Sequence, residues 1–288
     1  MLAIVGIVVV TLSVFVGFAL EGGPLLVLIQ PAEFLIILGA AVGGLLVSTS
    51  PNLLRQLIRQ CVAATRPSPF NRALHLELLQ LLYELLVKAK KSGLIALEKD
   101  LTTPAESPIF TGHPAILARH EAVQFTCEAL SMLVDGNMRP DDFEMVLGAH
   151  LETHHEEESK AASVLTKVGD TLPGLGIVAA VLGIVITMQA VDGKPEEIGH
   201  KVAAALVGTF LGIFLSYGYV QPLANNLELQ AAAESRFLVC IKNCLVAFAR
   251  GAPPLVAVEV ARHVMYSDDR PEPEALAEAC QQVGRKAA

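Results

Sequence analysis

Three clusters in this 288-residue sequence hold side chains of the kinds that do chemistry. His150-x-x-x-His154, followed by His155 and by Glu156, Glu157 and Glu158, has the i, i+4 spacing that puts two imidazoles on one helical face, where a third ligand would complete a zinc site. That stretch has no cysteine and is otherwise charged, so it reads as a solvated face and no metal is assigned. Cys240-x-x-x-Cys244 is helical spacing rather than CxxC, and its thiols read as buried. Gly174-Leu-Gly176-Ile-Val-Ala179 comes nearest to a dinucleotide fingerprint, but no strand precedes it and it lies in a long apolar run. The sequence has no GxxxxGK[ST] loop, and no Ser–His–Asp arrangement stands out. No catalytic residue and no cofactor is therefore expected, and an enzyme reading has no site to rest on.

What remains is a set of small and hydroxyl-bearing residues inside apolar runs. Pro173, Gly176, Ala180, Gly183 and Thr187 recur at three- or four-residue spacing and share one helical face. Ala205, Thr209, Gly212 and Ser216 do the same, beside the small column Ala204, Gly208, Gly212. Such faces let helices approach closely in lipid; plain packing and a narrow face shaped around a partner helix or pore both remain open. Gly39-x-x-x-Gly43 reads as packing only. Pro173 is expected to begin one apolar helix and Pro222, near Asn225-Asn226, to end another. The pair is either boundary punctuation or a hinge.

The elements that carry these residues follow from charge. Hydrophobic residues make up 53% of the chain and charged ones only 17%, with a mean hydropathy of +0.52; soluble domains carry about 25% charge. Met1–Leu20, Phe34–Leu54, Thr171–Val191 and Val202–Leu227 contain no Asp, Glu, Lys or Arg. Each approaches or exceeds the ~20 residues that cross a bilayer. The first lacks the basic start and cleavage site of a signal peptide. Glu21-Gly-Gly-Pro24 and Pro31-Ala-Glu33 punctuate a first hairpin, and Asp192-Gly-Lys-Pro-Glu-Glu197 a second.

Lys and Arg then orient the hairpins. Positions 21–33 have none and 192–201 have two, whereas 55–167 hold twelve and 236–286 seven. The positive-inside bias puts the middle segment, the tail and both termini in the cytoplasm. The expected fold is all-α, a polytopic membrane protein with four transmembrane helices and a helical cytoplasmic domain. Its parts are a hairpin at 1–54, the cytoplasmic domain at 55–168, a second hairpin at 169–227, and a helix with tail at 228–288. Within the middle segment Leu74 to Leu86 suit a buried helix stopped near Gly93, with further helices at about 115–135 and 139–160. Residues 267–288 are polar and are expected to fray. A net charge of −8 excludes a general nucleic-acid binder, and five irregularly spaced cysteines fit a reducing compartment. The four charge-free windows contain no carboxylate, base or histidine, so a chain that moves ions must borrow that group from another chain.

Several longer runs resemble the MotA family, the larger stator subunits of the bacterial flagellar motor. They are Gln30-Pro-Ala-Glu-Phe-Leu-Ile-Ile-Leu-Gly-Ala-Ala, Val168-Gly-Asp-Thr-Leu-Pro-Gly-Leu-Gly-Ile-Val-Ala-Ala, Ala205-Leu-Val-Gly-Thr-Phe-Leu-Gly-Ile, and Tyr217 through Pro222-Leu-Ala. Ala252-Pro-Pro-Leu-Val-Ala-Val-Glu259 and Tyr266-Ser-Asp-Asp-Arg-Pro271 resemble the family's tail. The resemblance implies a pentamer in the bacterial inner membrane around a MotB-like partner dimer. Each partner contributes one span with an ion-binding aspartate, and ion flow turns the ring against the rotor protein FliG. It also implies that Ala180 and Thr209 flank the ion path, with protons as the ion because sodium-driven relatives tend to carry Thr at the Ala180 position. Neutralising the partner's carboxylate would bias a two-state element, and Pro173 with Pro222 is the candidate coupling lever. Lys90 and Glu98 match the charged pair facing FliG; the family's usual Arg is Lys here, which keeps charge but loses bidentate geometry. Lys91 and Lys99 stand near enough to share that role. The alternative is an energiser of the TolQ/ExbB type driving an envelope complex, although those relatives usually have three spans.

Overall fold

The computed structural model describes residues 2–136, 138–189 and 194–286, and no strand occurs among them. Its helices are α1 (Leu2–Leu20), α2 (Pro31–Ser48), α3 (Pro51–Ala63), α4 (Arg72–Ser92), α5 (Glu98–Thr102), α6 (Pro108–Thr111), α7 (Pro114–Leu117), α8 (His120–Val134), α9 (Pro140–Met188), α10 (Pro195–Leu215), α11 (Gln221–Ala249), α12 (Pro254–His263) and α13 (Pro273–Lys286). They form two compact units, and α9 and α11 contribute to both.

The first unit comprises Met1–Pro67 and Glu157–Gln230. Among the described residues, four helices are long and apolar enough to cross a membrane. In hydrocarbon each backbone polar group needs an internal partner, and an uninterrupted helix provides it. Proline at the first position of α2, α3 and α10 starts these helices where the missing N–H costs nothing. Ser50 caps α3, its hydroxyl accepting from the Leu53 amide at 3.3 Å. The apolar side of α3 packs through Leu57 and Ala64 against Ala161 and Ala162 of α9 and Leu227 of α11. Gln56 and Gln60 donate to the two oxygens of Glu158 at 3.1 and 2.6 Å. Of the second hairpin's turn, Asp192 and Gly193 lie outside the described residues; Lys194 is extended and α10 follows it.

The second unit comprises Ser68–Glu156 and Ala231–Ala288. Its centre is α4, capped by Asn71 accepting from the Leu74 amide at 3.0 Å and stopped by Gly93 at φ +84°. Leu78, Leu79, Leu81, Leu82, Leu85 and Leu86 are all fully buried. Buried positions at such close spacing leave little of the helix for solvent, so α4 is enclosed rather than laid on a surface. The helix expected at about 115–135 resolves into α7 and α8. The one expected at 139–160 does not stop there but runs 49 residues to Met188, because nothing after Pro140 breaks it before Pro173.

The tail corrects an expectation. Residues 273–286 form α13, which packs against α4 through Leu276, Ala279, Cys280 and Val283. Their i, i+3, i+4, i+7 spacing is an apolar stripe that the segment's polar average conceals. Arg262 holds the connection from α12, donating to the Pro271 carbonyl at 3.1 Å, while Arg270 donates to the Met265 carbonyl at 3.0 Å.

All five cysteines are free, and Cys127 and Cys280 are buried in this unit. Burial pushes their thiols up, Cys127 to about 12 and Cys280 to about 11. Since the thiolate is the nucleophile, a maleimide at pH 7 is expected to modify both at least about a hundredfold more slowly in the native protein than in denaturant. Rapid native labelling of either, read by peptide mass, would contradict the packing of this unit.

Candidate functional site

Within the first unit the small faces of α9 and α10 meet each other. A Cβ added at Gly176 would stand 2.8 Å from the Gly208 carbonyl oxygen, and one at Gly212 would stand 2.5 Å from the Leu172 carbonyl oxygen. One at Gly183 would come within 2.9 Å of the Ala205 methyl. Backbone touches backbone along this seam, and only glycine permits it. Ala180 is buried next to Ala179, and Thr209 is half-buried next to Gly208. The two candidates stand one on each helix of the seam, Ala180 at helical spacing from Gly176 and Gly183, and Thr209 at helical spacing from Ala205 and Gly212. Gly39 and Gly43 behave otherwise: a Cβ on either meets nothing within 4 Å, so the expected packing is not made inside this chain.

Pro173 does not begin a helix and Pro222 does not end one. Pro173 lies in the interior of α9, and Pro222 is the second residue of α11. A helical proline has no N–H for the carbonyl four residues earlier, which for Pro173 is that of Gly169. Ser216 supplies the missing donor from the other helix: its hydroxyl donates to the Gly169 carbonyl at 2.7 Å, with Ser216 fully buried. Ser216 opens a five-residue π-helical segment, Ser216–Val220, which joins α10 to α11 just ahead of Pro222. This widened turn lets the helix pass the second proline, so Pro222 does not terminate it. Gln221 donates to Asp170 at 2.8 Å, a second bond between the same two stretches of chain. On the other side of the π segment the Tyr219 hydroxyl lies 2.9 Å from that of Thr11, and Phe214 meets Phe15 edge-on, which ties α1 to this point.

Sequence reasoning missed Glu33. It was expected in the hairpin turn, but it is the third residue of α2 and only 6% exposed. Its carboxyl fills the space beside the two glycines: a Cβ on Gly208 would lie 2.5 Å from its Oε2, and one on Gly183 3.5 Å from its Oε1. The Oε2 atom has no hydrogen-bond partner among the described residues. Pro31 was the available signal, because a proline at the first helical position puts Glu33 inside the helix rather than in the turn.

In the second unit Lys90 and Glu98 are exposed, Lys90 in the last turn of α4 and Glu98 at the start of α5. The turn Leu94–Leu97 between them packs back on α4, with Leu97 fully buried. A buried carboxylate fastens this stretch. Asp100 accepts from Lys88 at 2.5 Å and from the Ser107 hydroxyl at 2.7 Å, and Ser107 in turn caps α6. The histidine cluster has other partners: His150 stacks obliquely near Phe125, His154 lies 3.9 Å from Glu121, and Glu158 takes the two glutamines of α3.

Two family models match the chain: the motility protein A N-terminal model over residues 4–93 and the MotA/TolQ/ExbB proton channel family over residues 118–238. Motility protein A of Escherichia coli K12 is 38% identical over 94% of this chain and 92% of its own length. The chain belongs to the MotA family. Chemotaxis protein LafT of Vibrio parahaemolyticus is 37% identical over 92% of this chain and 93% of its own. A Campylobacter jejuni MotAB structure shares the fold with a TM-score of 0.77 at 24% identity, covering 94% of this chain and 98% of that one. The flagellar MotAB stator complex of Bacillus subtilis gives 0.72 at 22%, with 89% and 92% covered.

Membership in the MotA family makes this a flagellar stator subunit of the proton-channel type and a multi-pass protein of the bacterial inner membrane. The MotA fold here rests on the glycine seam, so side chains placed in it should separate α9 from α10. Gly176→Val and Gly212→Val are expected to abolish motility and cut the chain's accumulation in membranes severalfold, whereas Gly39→Ala leaves accumulation unchanged. Membrane immunoblots and swimming assays check this, and normal levels with normal swimming for both valine variants would refute the close approach.

Proposed function

We propose that this MotA-family chain forms a pentamer around a MotB-like partner dimer and converts proton flow along the α9–α10 seam into torque. The relatives' solved MotAB complexes support a MotB-type partner and an oligomer. The partner's aspartate supplies the carboxylate that takes and releases the proton beside Ala180 and Thr209. Both termini and the second unit face the cytoplasm, where Lys90 and Glu98, with Lys91 and Lys99 alongside, meet FliG.

One observation carries the coupling step: the Gly169 carbonyl freed by Pro173 is held across the seam by Ser216. A buried hydrogen bond left unmade costs about 1–3 kcal/mol, and one charge crossing the membrane releases ~2.3 kcal/mol per 100 mV. The two are of one size, so neutralising a nearby carboxylate is enough to bias the pair between two arrangements. Pro173 and Pro222 then hinge two helices that also build the second unit.

A gentle pull-down from native membranes, with the complex weighed intact, tests the assembly. The expected partner has one span, an intramembrane Asp and a peptidoglycan-binding domain; a TonB- or Tol-like partner would move the work to the envelope and contradict the stator reading. Thr209→Ile and Pro173→Ala should stop swimming with insertion intact, and normal swimming by both would refute their roles. Ser216→Ala should lower torque at least about twofold, as loss of one buried hydrogen bond allows, while keeping the partner bound; unchanged torque in a tethered-cell assay would remove Ser216 from the mechanism. Lys90→Glu should weaken motility only partly.

A further inference from the structure

The carboxyl of Glu33 lies in the apolar zone without a partner, in a slot that two glycines leave for it. Gly208 is six residues beyond Val202, the first residue of the charge-free stretch of α10, or about 9 Å along the helix. Gly183 is five residues before the end of α9 at Met188, about 7.5 Å. A side chain at Gly208 would collide with Oε2 itself. Thr187, one turn from Gly183 on the same face, commits its hydroxyl proton to the Gly183 carbonyl at 2.8 Å. The stretches of chain nearest the slot carry no other titratable or charged group: none occurs in Leu25–Leu28, in Thr171–Met188 or in Val202–Leu215. The nearest along α10 are Lys201 and His200, about two turns from Gly208, with Glu196 and Glu197 beyond them.

From this slot we infer that Glu33 is a proton-binding station of the chain's own, upstream of the partner's carboxylate on the same path. The inference rests on the proton-channel reading above. Two opposed influences make both states of the carboxyl accessible. As the third residue of α2, Glu33 sits at the positive end of the helix dipole, which favours the anion. Its apolar surroundings and unpartnered oxygen favour the acid. A proton arriving from outside bonds to a carboxylate oxygen and gives the neutral acid. That O–H bond breaks when the proton passes inward to the partner's carboxylate, and Glu33 returns to the anion.

The test uses the complex co-purified with its partner and reconstituted into vesicles holding a pH-sensitive dye, with a potassium diffusion potential imposed. Glu33→Gln keeps the shape and removes the titration; it is expected to cut proton flux at least about tenfold at unchanged partner stoichiometry. Glu33→Asp is expected to retain flux within about threefold of the original, since it keeps the titrating group. An infrared difference spectrum between two pH values should show a carboxylic C=O band that Glu33→Gln removes. Flux within about twofold of the original in Glu33→Gln, or a spectrum the substitution does not alter, overturns the station and leaves Glu33 as a packing group. Should Glu33→Gln not co-purify, a shift of that band in Glu33→Asp supports the station and its absence overturns it. If the unsubstituted complex moves no protons, the channel reading itself fails and takes the station with it.

Discussion

The contact on which the apolar unit depends is the approach of α9 to α10 at Gly176 and Gly212, close enough that a single carbon added at either would strike backbone of the facing helix. In lipid there is no hydrophobic drive between helices, so association rests on packing and on hydrogen bonds between helices. The seam supplies the packing. At one end it leaves the slot that Glu33 fills, and at the other it brings Ser216 to the carbonyl that Pro173 strands. A larger residue at the seam would separate all three, so the carboxyl's slot, the Ser216–Gly169 bond and the close approach stand or fall together.

The second unit is built on the opposite principle. Its core is a filled hydrophobic cluster around α4, drawn from α8, α11, α12 and α13 as well. It presents charge on a firm base: Lys88, Asp100 and Ser107 fix the turn between Lys90 and Glu98, so those exposed residues are held by buried ones. That stiffness suits the rotor-facing role proposed for Lys90 and Glu98, because a mobile charged loop would spend its contact energy on ordering.

Much of this was legible in the sequence. Four charge-free windows announced four apolar helices, and the leucines of α4 with Gly93 announced an enclosed helix that stops there. The small-residue faces were visible too, but their spacing could not say which face met which. The rest was hidden for physical reasons. Glu33 looked like loop because charge next to a span usually marks the turn, and its burial is a tertiary fact. Pro173 looked like a boundary because the donor that makes it tolerable, Ser216, is 47 residues away in the chain from the carbonyl it serves. The tail looked disordered because α13 buries a narrow stripe under a polar average.

The central claim is that the Pro173 region of α9 and the π segment before Pro222 form one latched pair whose arrangement follows the charge on the partner's carboxylate. It is tested most directly by spin labels at Thr171 and Tyr217, both exposed in this chain, in the assembled complex. Distance distributions are compared with the partner's carboxylate intact and with it replaced by its amide. The account predicts two distinct distributions, one for each charge state. A single distribution, unchanged by the amide, would contradict it.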